Sequence, residues 1–159
     1  MATVYIGLGS NLNNPIYQIK KALRILTTIS TICLKDHSSL YRSKAIGPRN
    51  QPDYINAIAI LFVKLSPFQL LKKLQAIEIA HGRTRTGKRW QARTLDLDIL
   101  MYDNKHLQSP NLILPHPELY NRMFVLQPLY ECVPNLILPN GQQLQNLIQY
   151  YSDERIRQI

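Results

Sequence analysis

Two aspartates separated by one residue are the sharpest chemical signal in this chain. They lie in the segment Thr94-Leu95-Asp96-Leu97-Asp98-Ile99-Leu100, in which apolar and acidic residues alternate. In a β-strand, this alternation turns Leu95, Leu97 and Ile99 into the core and puts both carboxylates on the opposite face, ~6.6 Å apart along the chain. Two like charges on one face repel each other, and a shared divalent cation removes the repulsion. Carboxylate oxygens favour Mg²⁺, so we expect Asp96 and Asp98 to hold Mg²⁺, and such a pair could bridge two ions; a solvated strand face is the alternative.

A strongly basic stretch leads directly into the acidic pair. It contains five cations within eleven residues and one tryptophan. These residues are Arg83, Arg85, Lys88, Arg89, Arg93 and Trp90. Cations and metal ligands that converge on one small volume suit a triphosphate, because guanidinium groups and Mg²⁺ divide the phosphate oxygens between them. A solvated basic loop or an RNA-binding patch with one stacking aromatic are the alternatives.

The run from Gly82 to Lys88 looks like a Walker A motif but does not fit its requirements. Arg89 stands where a Ser or Thr must bind Mg²⁺, and the segment follows a predicted helix and precedes a predicted strand, the reverse of the required order. We therefore reject a P-loop. The run from Gly7 to Leu12 lacks the third glycine of a dinucleotide fingerprint, so we interpret it as a tight turn.

Two further segments offer groups that suit a flat heterocycle. Tyr54 and Asn56 share one face at the start of a predicted strand, an aromatic ring beside an amide that both donates and accepts hydrogen bonds. His116 lies between two prolines and is followed by Arg122 and Phe124. A core tyrosine with a hydrogen-bonded asparagine explains the first segment equally well, and a histidine such as His116, taken singly, is more often a surface or hydrogen-bonded residue than a catalytic one.

The elements that must position these residues alternate between strands and helices. We predict strands at 3–8, 32–42, 54–65 and 95–102 and helices at 15–26, 67–81 and 142–151. Asn14 and Ser66 are the expected helix caps, Gln69 completes a capping box with Ser66, and Gly82 ends the second helix. Segments rich in proline, including 112–114 and 124–129, fill the remainder. The order of elements predicts an α+β fold, a ferredoxin-like split βαβ sandwich.

Composition limits the class of protein. A chain of 159 residues with 45% hydrophobic content fits a single domain over 1–159. The formal charge of +9 indicates an anionic partner. We expect a cytoplasmic location, since there is no leader and no apolar run long enough for a membrane span. Cys33 and Cys132 form no C-x-x-C pair, which argues against a disulfide framework and a zinc site.

As a set, these segments resemble the 6-hydroxymethyl-7,8-dihydropterin pyrophosphokinase family along essentially the whole chain. The resemblance rests on segments that occur in the same order and spacing. These are Gly7 to Leu12, Gln51-Pro52-Asp53-Tyr54-Ile55-Asn56, Gly82 to Arg85, Arg89-Trp90 with Arg93 to Leu100, and Pro115-His116-Pro117 with Arg122 to Leu126. The block from Arg89 to Leu100 is the most specific of them.

The resemblance implies a monomeric ferredoxin-like αβ sandwich, with helices packed on an antiparallel sheet and flexible loops that close over ATP and the pterin. It implies a function in folate biosynthesis and assigns residues to three groups. The phosphate and metal group is Arg83, Arg93, Asp96 and Asp98; the nucleotide group is Gln75, Glu78, Arg85, Arg89, Trp90, Ile99, His116 and Arg122; the pterin group is Ser43, Ile46, Tyr54, Asn56 and Phe124.

Our mechanistic hypothesis is in-line attack of the pterin hydroxymethyl oxygen on the β-phosphorus of ATP, with AMP as the leaving group. Asp96 or Asp98 would receive the proton, and two Mg²⁺ ions would serve the phosphates and the incoming hydroxyl. The main rival is an RNA-binding ferredoxin-like module that uses the basic loop and the aromatics. A nucleotidyl or ordinary phosphoryl transferase is a further rival, which would release pyrophosphate or ADP.

Overall fold

The computed structural model describes residues 1–44, 51–82, 94–151 and 156–159, which form eight strands and four helices. The strands are β1 Ala2–Ser10, β2 Ile32–His37, β3 Tyr41–Ser43, β4 Tyr54–Val63, β5 Asp96–Tyr102, β6 Leu107–Gln108, β7 Ile113–Leu114 and β8 Arg157–Gln158. The helices are α1 Pro15–Leu26, α2 Pro67–Ala80, α3 Met123–Cys132 and α4 Leu144–Tyr150.

A six-stranded antiparallel sheet organises the molecule. Its order is β5-β1-β4-β3-β8, and β2 also pairs with β4. β2 and β3 follow one another along the same side of β4, so together they occupy the place of one interrupted strand. The order of the four principal strands is then fourth, first, third, second, which is the ferredoxin-like arrangement that the sequence predicts.

One face of the sheet forms an apolar core with α1 and α2. Val4, Ile6 and Leu8 alternate along β1 and are almost completely buried, as the period of a strand requires. They pack with the apolar face of α1, which carries Ile19, Leu23 and Leu26, and with Leu70, Leu74 and Ile77 of α2. These contacts fix the positions of both helices relative to the sheet.

The starts of the two helices differ in their chemistry. Ser66 accepts a hydrogen bond from Gln69 N, and the Gln69 side chain accepts from Ser66 N, so the predicted capping box is confirmed. Gly82 follows the helix with φ +85°, as expected for a residue that ends one. Asn14 is at the predicted N-cap position, but its φ is 63° and its side chain forms no capping hydrogen bond. The left-handed backbone explains the asparagine, which tolerates this conformation.

The other face of the sheet is covered by α3 and α4. Leu126 and Leu129 of α3 pack with Leu144 of α4 and with Ile58 and Leu100 of the sheet. The segment 124–129 is therefore the middle of a helix, although Pro128 within it suggested an irregular segment. No helix in the described part of the chain is long and apolar enough to cross a bilayer.

Two predictions about strands were wrong in detail. The predicted strand 32–42 is divided between β2 and β3, with a register shift between Leu34 and Asp36. The glycines at 7 and 9 do not form a turn, because β1 continues through Ser10 and both are paired inside the sheet. The sequence suggested a turn because glycine is common in turns, whereas the structure uses the absence of a side chain inside a strand.

Candidate active site

Strand register brings three predicted functional segments side by side on the face that α3 and α4 share. Gly9 of β1 is paired with Asp96 of β5 on one side and with Asn56 of β4 on the other. Residues directly opposite in antiparallel strands have their side chains on the same face. Asp96 and Asn56 are therefore two strand spacings apart, roughly 10 Å, with only a glycine between them.

The glycine keeps this part of the sheet surface open. A Cβ atom at Gly9 would lie 3.3 Å from Asn56 Oδ1 and 3.7 Å from Tyr54 Cδ1, so a side chain there would press on both. Gly7, which is paired with Asp98, differs because a Cβ atom would meet the Leu100 side chain no closer than 3.6 Å. Sequence reasoning missed Gly9 as a site residue. The signal that could have identified it is the spacing of Gly7 and Gly9, which are two residues apart, as Asp96 and Asp98 are.

The acidic pair has the predicted arrangement. Leu95, Leu97 and Ile99 are at most 4% exposed, whereas Asp96 is half-buried and Asp98 is exposed. Two carboxylates from one strand thus face the same open surface, and their hard oxygen atoms are suitable Mg²⁺ ligands. The described residues contain no group of three or more His, Cys, Asp or Glu side chains that could hold a metal ion.

Helix α2 supports the strand that carries the acidic pair. Glu78 is 2% exposed, and its Oε2 accepts a hydrogen bond from Leu97 N at 2.8 Å, between the two aspartates. Gln75, one helical turn earlier, is half-buried. The Ile99 side chain belongs to the apolar core, which leaves its backbone as the part that a ligand would contact. Contacts of these three residues with a nucleotide stay a prediction.

The opposite side of Gly9 carries the predicted pterin residues. Asn56 and Ser43 are both 6% exposed, and Asn56 Nδ2 donates to Ser43 Oγ at 2.8 Å. This bond sets the orientation of the Asn56 amide, and its Oδ1 faces the space above Gly9. Tyr54, half-buried, is paired with Ser43 across β3 and β4.

Asn11 anchors the segment that precedes β4. Its side chain is 1% exposed and donates to Gln51 Oε1 at 3.2 Å and to Pro52 O at 3.0 Å. The end of β1 therefore holds the residues that lead into Tyr54 and Asn56. Asn11 belongs to one of the segments that carried the family resemblance, yet no site role was predicted for it.

His116 is attached to the edge strand that bears the acidic pair. Its backbone N donates to Leu100 O at 2.9 Å, and its Nδ1 accepts from Glu118 N at 3.0 Å. Nδ1 is thus the unprotonated nitrogen, and Nε2 carries the hydrogen available for donation. Burial, with the nearby Arg122, lowers the pKa of His116, while Glu118 acts in the opposite direction. The imidazole is therefore neutral at neutral pH.

Arg122 and Phe124 are at the start of α3. The Arg122 guanidinium carbon lies 5.4 Å from the centroid of the Phe124 ring, and its Nε is 3.8 Å from Glu118 Oε2. Both side chains are half-buried. The first residues of α3 thus present a cation stacked on an aromatic ring, beside the segment that contains His116.

Six predicted site residues lie outside the described residues. They are Ile46, Arg83, Arg85, Arg89, Trp90 and Arg93. The basic half of the predicted phosphate site therefore stays a prediction. Its flanks are described, since Gly82 follows the C-cap residue of α2 and Thr94 lies two residues before β5.

Comparison with known proteins assigns the chain to a family. The model of the 7,8-dihydro-6-hydroxymethylpterin-pyrophosphokinase family matches residues 5–134. This chain is 46% identical to the 2-amino-4-hydroxy-6-hydroxymethyldihydropteridine pyrophosphokinase of Haemophilus influenzae and 42% identical to that of Pseudomonas aeruginosa. Each alignment spans 156 residues, which is 98% of this chain and 97% and 96%, respectively, of the two relatives. A crystal structure of an HPPK-DHPS in complex with substrates superposes with a TM-score of 0.77 at 10% identity, over 99% of this chain but only 46% of that one, which supports the fold. The chain belongs to the 7,8-dihydro-6-hydroxymethylpterin-pyrophosphokinase family.

Proposed function

We propose that this chain transfers pyrophosphate from ATP to 6-hydroxymethyl-7,8-dihydropterin, giving AMP and the pterin pyrophosphate in folate biosynthesis. The observation that carries the proposal is the row Asp96, Gly9 and Asn56 across three neighbouring strands. It brings a pair of carboxylates within roughly two strand spacings of a buried amide, on one open surface. Family membership supplies the reaction, and it gives the RNA-binding alternative no support.

The pterin half of the proposed site is the side of Gly9 that carries Asn56. A pterin ring has donors and acceptors along one edge, and Asn56 offers both kinds of group in an orientation that Ser43 fixes. Tyr54 and Phe124 provide aromatic surfaces for the two faces of the ring. Ile46, outside the described residues, is proposed to contact the same ring.

The phosphate half is the side of Gly9 that carries Asp96. Asp96 and Asp98 would hold Mg²⁺, which supplies charge neutralisation for the triphosphate and acidifies the attacking hydroxyl. Either carboxylate is also a base for the hydroxymethyl proton. Glu78 keeps the strand between them in place through Leu97 N. Arg83 and Arg93, outside the described residues, are proposed to bind the transferred phosphates.

A third group of residues, the nucleotide group, extends from the edge of β5. His116 is proposed to donate from Nε2 to a nucleotide oxygen, since its Nδ1 already accepts from Glu118 N. Arg122 is a cation next to it. Gln75, Glu78 and the Ile99 backbone complete this group, together with Arg85, Arg89 and Trp90. In-line attack on the β-phosphorus then needs little covalent chemistry from the protein, because most of the acceleration comes from positioning and charge neutralisation.

The test is to identify the nucleotide released from ATP, Mg²⁺ and 6-hydroxymethyl-7,8-dihydropterin. We expect AMP, formed in equal amount with the pterin pyrophosphate and only when the pterin is present. Release of ADP would indicate an ordinary phosphoryl transfer, and release of free pyrophosphate a nucleotidyl transfer. Either product, or no turnover, would contradict the proposal.

A further inference from the structure

A carboxylate outside the proposed reaction centre joins α3 to β3. Glu131, on the last turn of α3, accepts hydrogen bonds from three donors at and just before β3, one of which, Ser39 N, is shared between both carboxylate oxygens. Ser39 N and Ser39 Oγ donate to Glu131 Oε2 at 3.0 and 2.9 Å, and the Tyr41 hydroxyl donates to Oε1 at 2.6 Å. We refer to Ser39, Tyr41 and Glu131 as the Glu131 cluster.

The electrostatics show that Glu131 is charged and that its partners favour this state. Burial acts to raise the pKa of Glu131, but the hydrogen bonds from Tyr41 and Ser39 outweigh it, so the pKa is lowered. Burial, and then the bond to Glu131, raise the pKa of Tyr41. The hydroxyl therefore stays protonated and donates to a carboxylate, a charge-assisted hydrogen bond of the stronger kind.

Each end of the Glu131 cluster leads to proposed pterin residues. Phe124 and Glu131 are seven residues apart on α3, two turns of one helix face and ~10.5 Å along its axis. On β3, Tyr41 and Ser43 are two residues apart and share a face, and Tyr41 is directly paired with Asn56. The cluster is thus one connection between the element that bears Phe124 and the strand that bears Ser43.

The strand next to the Glu131 cluster is short, and Ser38, just before it, is already bonded to Ile58 of β4. β3 has three residues, and each of them is paired with one residue of β4. On its other side, the described residues give it two pairs with β8, and Gln158 Nε2 donates to Ser39 Oγ at 3.1 Å. A strand of this length has few ladder bonds of its own, so a side-chain acceptor from α3 restricts its position strongly.

We propose that Glu131 is a positioning residue for the pterin half of the site. It touches no substrate; it fixes β3, which carries Ser43, against α3, which carries Phe124, and so keeps Ser43 bonded to Asn56. This inference rests on the function proposed above. It predicts that weakening the Glu131 cluster lowers the affinity for the pterin and leaves the affinity for ATP unchanged.

The test measures KM for both substrates in Glu131→Gln, Tyr41→Phe and the double variant. We expect Glu131→Gln to raise the KM for the pterin about tenfold, the factor that corresponds to the loss of one charge-assisted hydrogen bond. The KM for ATP should change by less than about twofold, which is small enough to be distinguished from a tenfold effect. The effects of the two changes should not add in the double variant, because both act on the same hydrogen bond between Tyr41 and Glu131.

Asp103→Asn is the matched control. Asp103 Oδ1 also accepts a backbone hydrogen bond from a strand residue, Thr3 N at 2.9 Å, but at the opposite end of β1 from Gly9. Its φ of 49° is one that asparagine tolerates. We expect this variant to leave both KM values unchanged, whatever its effect on the melting temperature.

The outcomes separate this proposal from the function on which it rests. If the parent protein releases AMP and Glu131→Gln changes only the melting temperature, or raises both KM values equally, Glu131 is not a positioning residue for the pterin. If the parent releases no AMP, the proposed function itself fails, and direct binding of the pterin to parent and Glu131→Gln in the presence of a non-hydrolysable ATP analogue decides the positioning role. Equal affinity would overturn it.

Discussion

The two faces of the same three strands differ in what their side chains do. On the α1 and α2 face, β1, β4 and β5 present an unbroken series of buried aliphatic residues, from Val4 to Leu8 and from Ile55 to Val63. On the other face, α3 and α4 cover Ile58 and Leu100, but the row beside them consists of Asp96, Gly9 and Asn56. One face is apolar throughout, and the other changes from apolar to polar along its length.

This difference shows how a small sheet combines stability with a polar site. The apolar face supplies the burial that stabilises the fold, at roughly 25 cal/mol per Å² of apolar surface. The polar row then needs no large side chains, because its strands are already fixed from the other side. The strand period of two allows both functions in one segment, as the alternation of Leu97 with Asp96 and Asp98 demonstrates.

The largest effect on activity should come from substitutions in β5, where adjacent residues belong to different faces of the sheet. Asp96→Ala or Asp98→Ala should lower kcat by more than about 100-fold, as expected when groups that neutralise transition-state charge are lost. The melting temperature should change little, since neither carboxylate is fully buried. Steady-state kinetics with thermal denaturation measures both quantities.

Leu97→Ala is the control from the same strand. Leu97 is 4% exposed in the apolar core, so its truncation should destabilise the fold by about 2–5 kcal/mol. Asp variants that retain activity within tenfold of the parent would contradict the assignment of the metal ligands. Asp variants that unfold as readily as Leu97→Ala would show that the two faces do not divide stability and chemistry in this way.

A smaller effect should distinguish the two glycines of β1. Gly9→Ala places a Cβ 3.3 Å from Asn56 Oδ1 and close to Tyr54, so we expect the KM for the pterin to rise about tenfold, the order of one disturbed polar contact. Gly7→Ala meets only Leu100, at an ordinary contact distance, and should leave KM unchanged. Equal KM values for the two variants would mean that the gap above Gly9 is not a binding surface.

The smallest effect concerns a polar residue at the end of the apolar face. His81 follows α2, is 6% exposed, and its Nδ1 lies 2.6 Å from Gln18 Oε1; its Nε2 has no hydrogen-bond partner among the described residues. Burial, and then Lys21, lower the pKa of His81. The unfolded state therefore binds the proton more readily, and the stability contribution is lost as pH falls below the ordinary value of 6.5.

We accordingly expect the melting temperature of the parent to fall between about pH 7 and pH 5, a window around the ordinary histidine pKa. The fall should be smaller in His81→Gln. His116, whose pKa is also lowered, contributes a loss of the same sign, so His81→Gln should reduce the pH dependence without abolishing it. An identical pH dependence in His81→Gln and the parent would contradict this interpretation.

Local pattern was sufficient for much of the fold and for part of the site. The capping box at Ser66, the end of α2 at Gly82 and the opposite faces of Leu97 and the acidic pair all follow from periods of a few residues. The break between β2 and β3 and the helix around Pro128 did not follow. Both depend on packing, the first against β4 and the second against the sheet and α4.

The sequence by itself determined which residues share a face of one element, because the pitch of a strand or helix is a local property of the backbone. It also determined the chemistry available, through the identities of those residues. Only the tertiary structure decided that Gly9 separates Asp96 from Asn56, that Glu78 supports Leu97 and that Glu131 holds Tyr41. These contacts join residues far apart in the chain. Strand register and helix docking set them, through the burial of the whole core rather than through any local pattern.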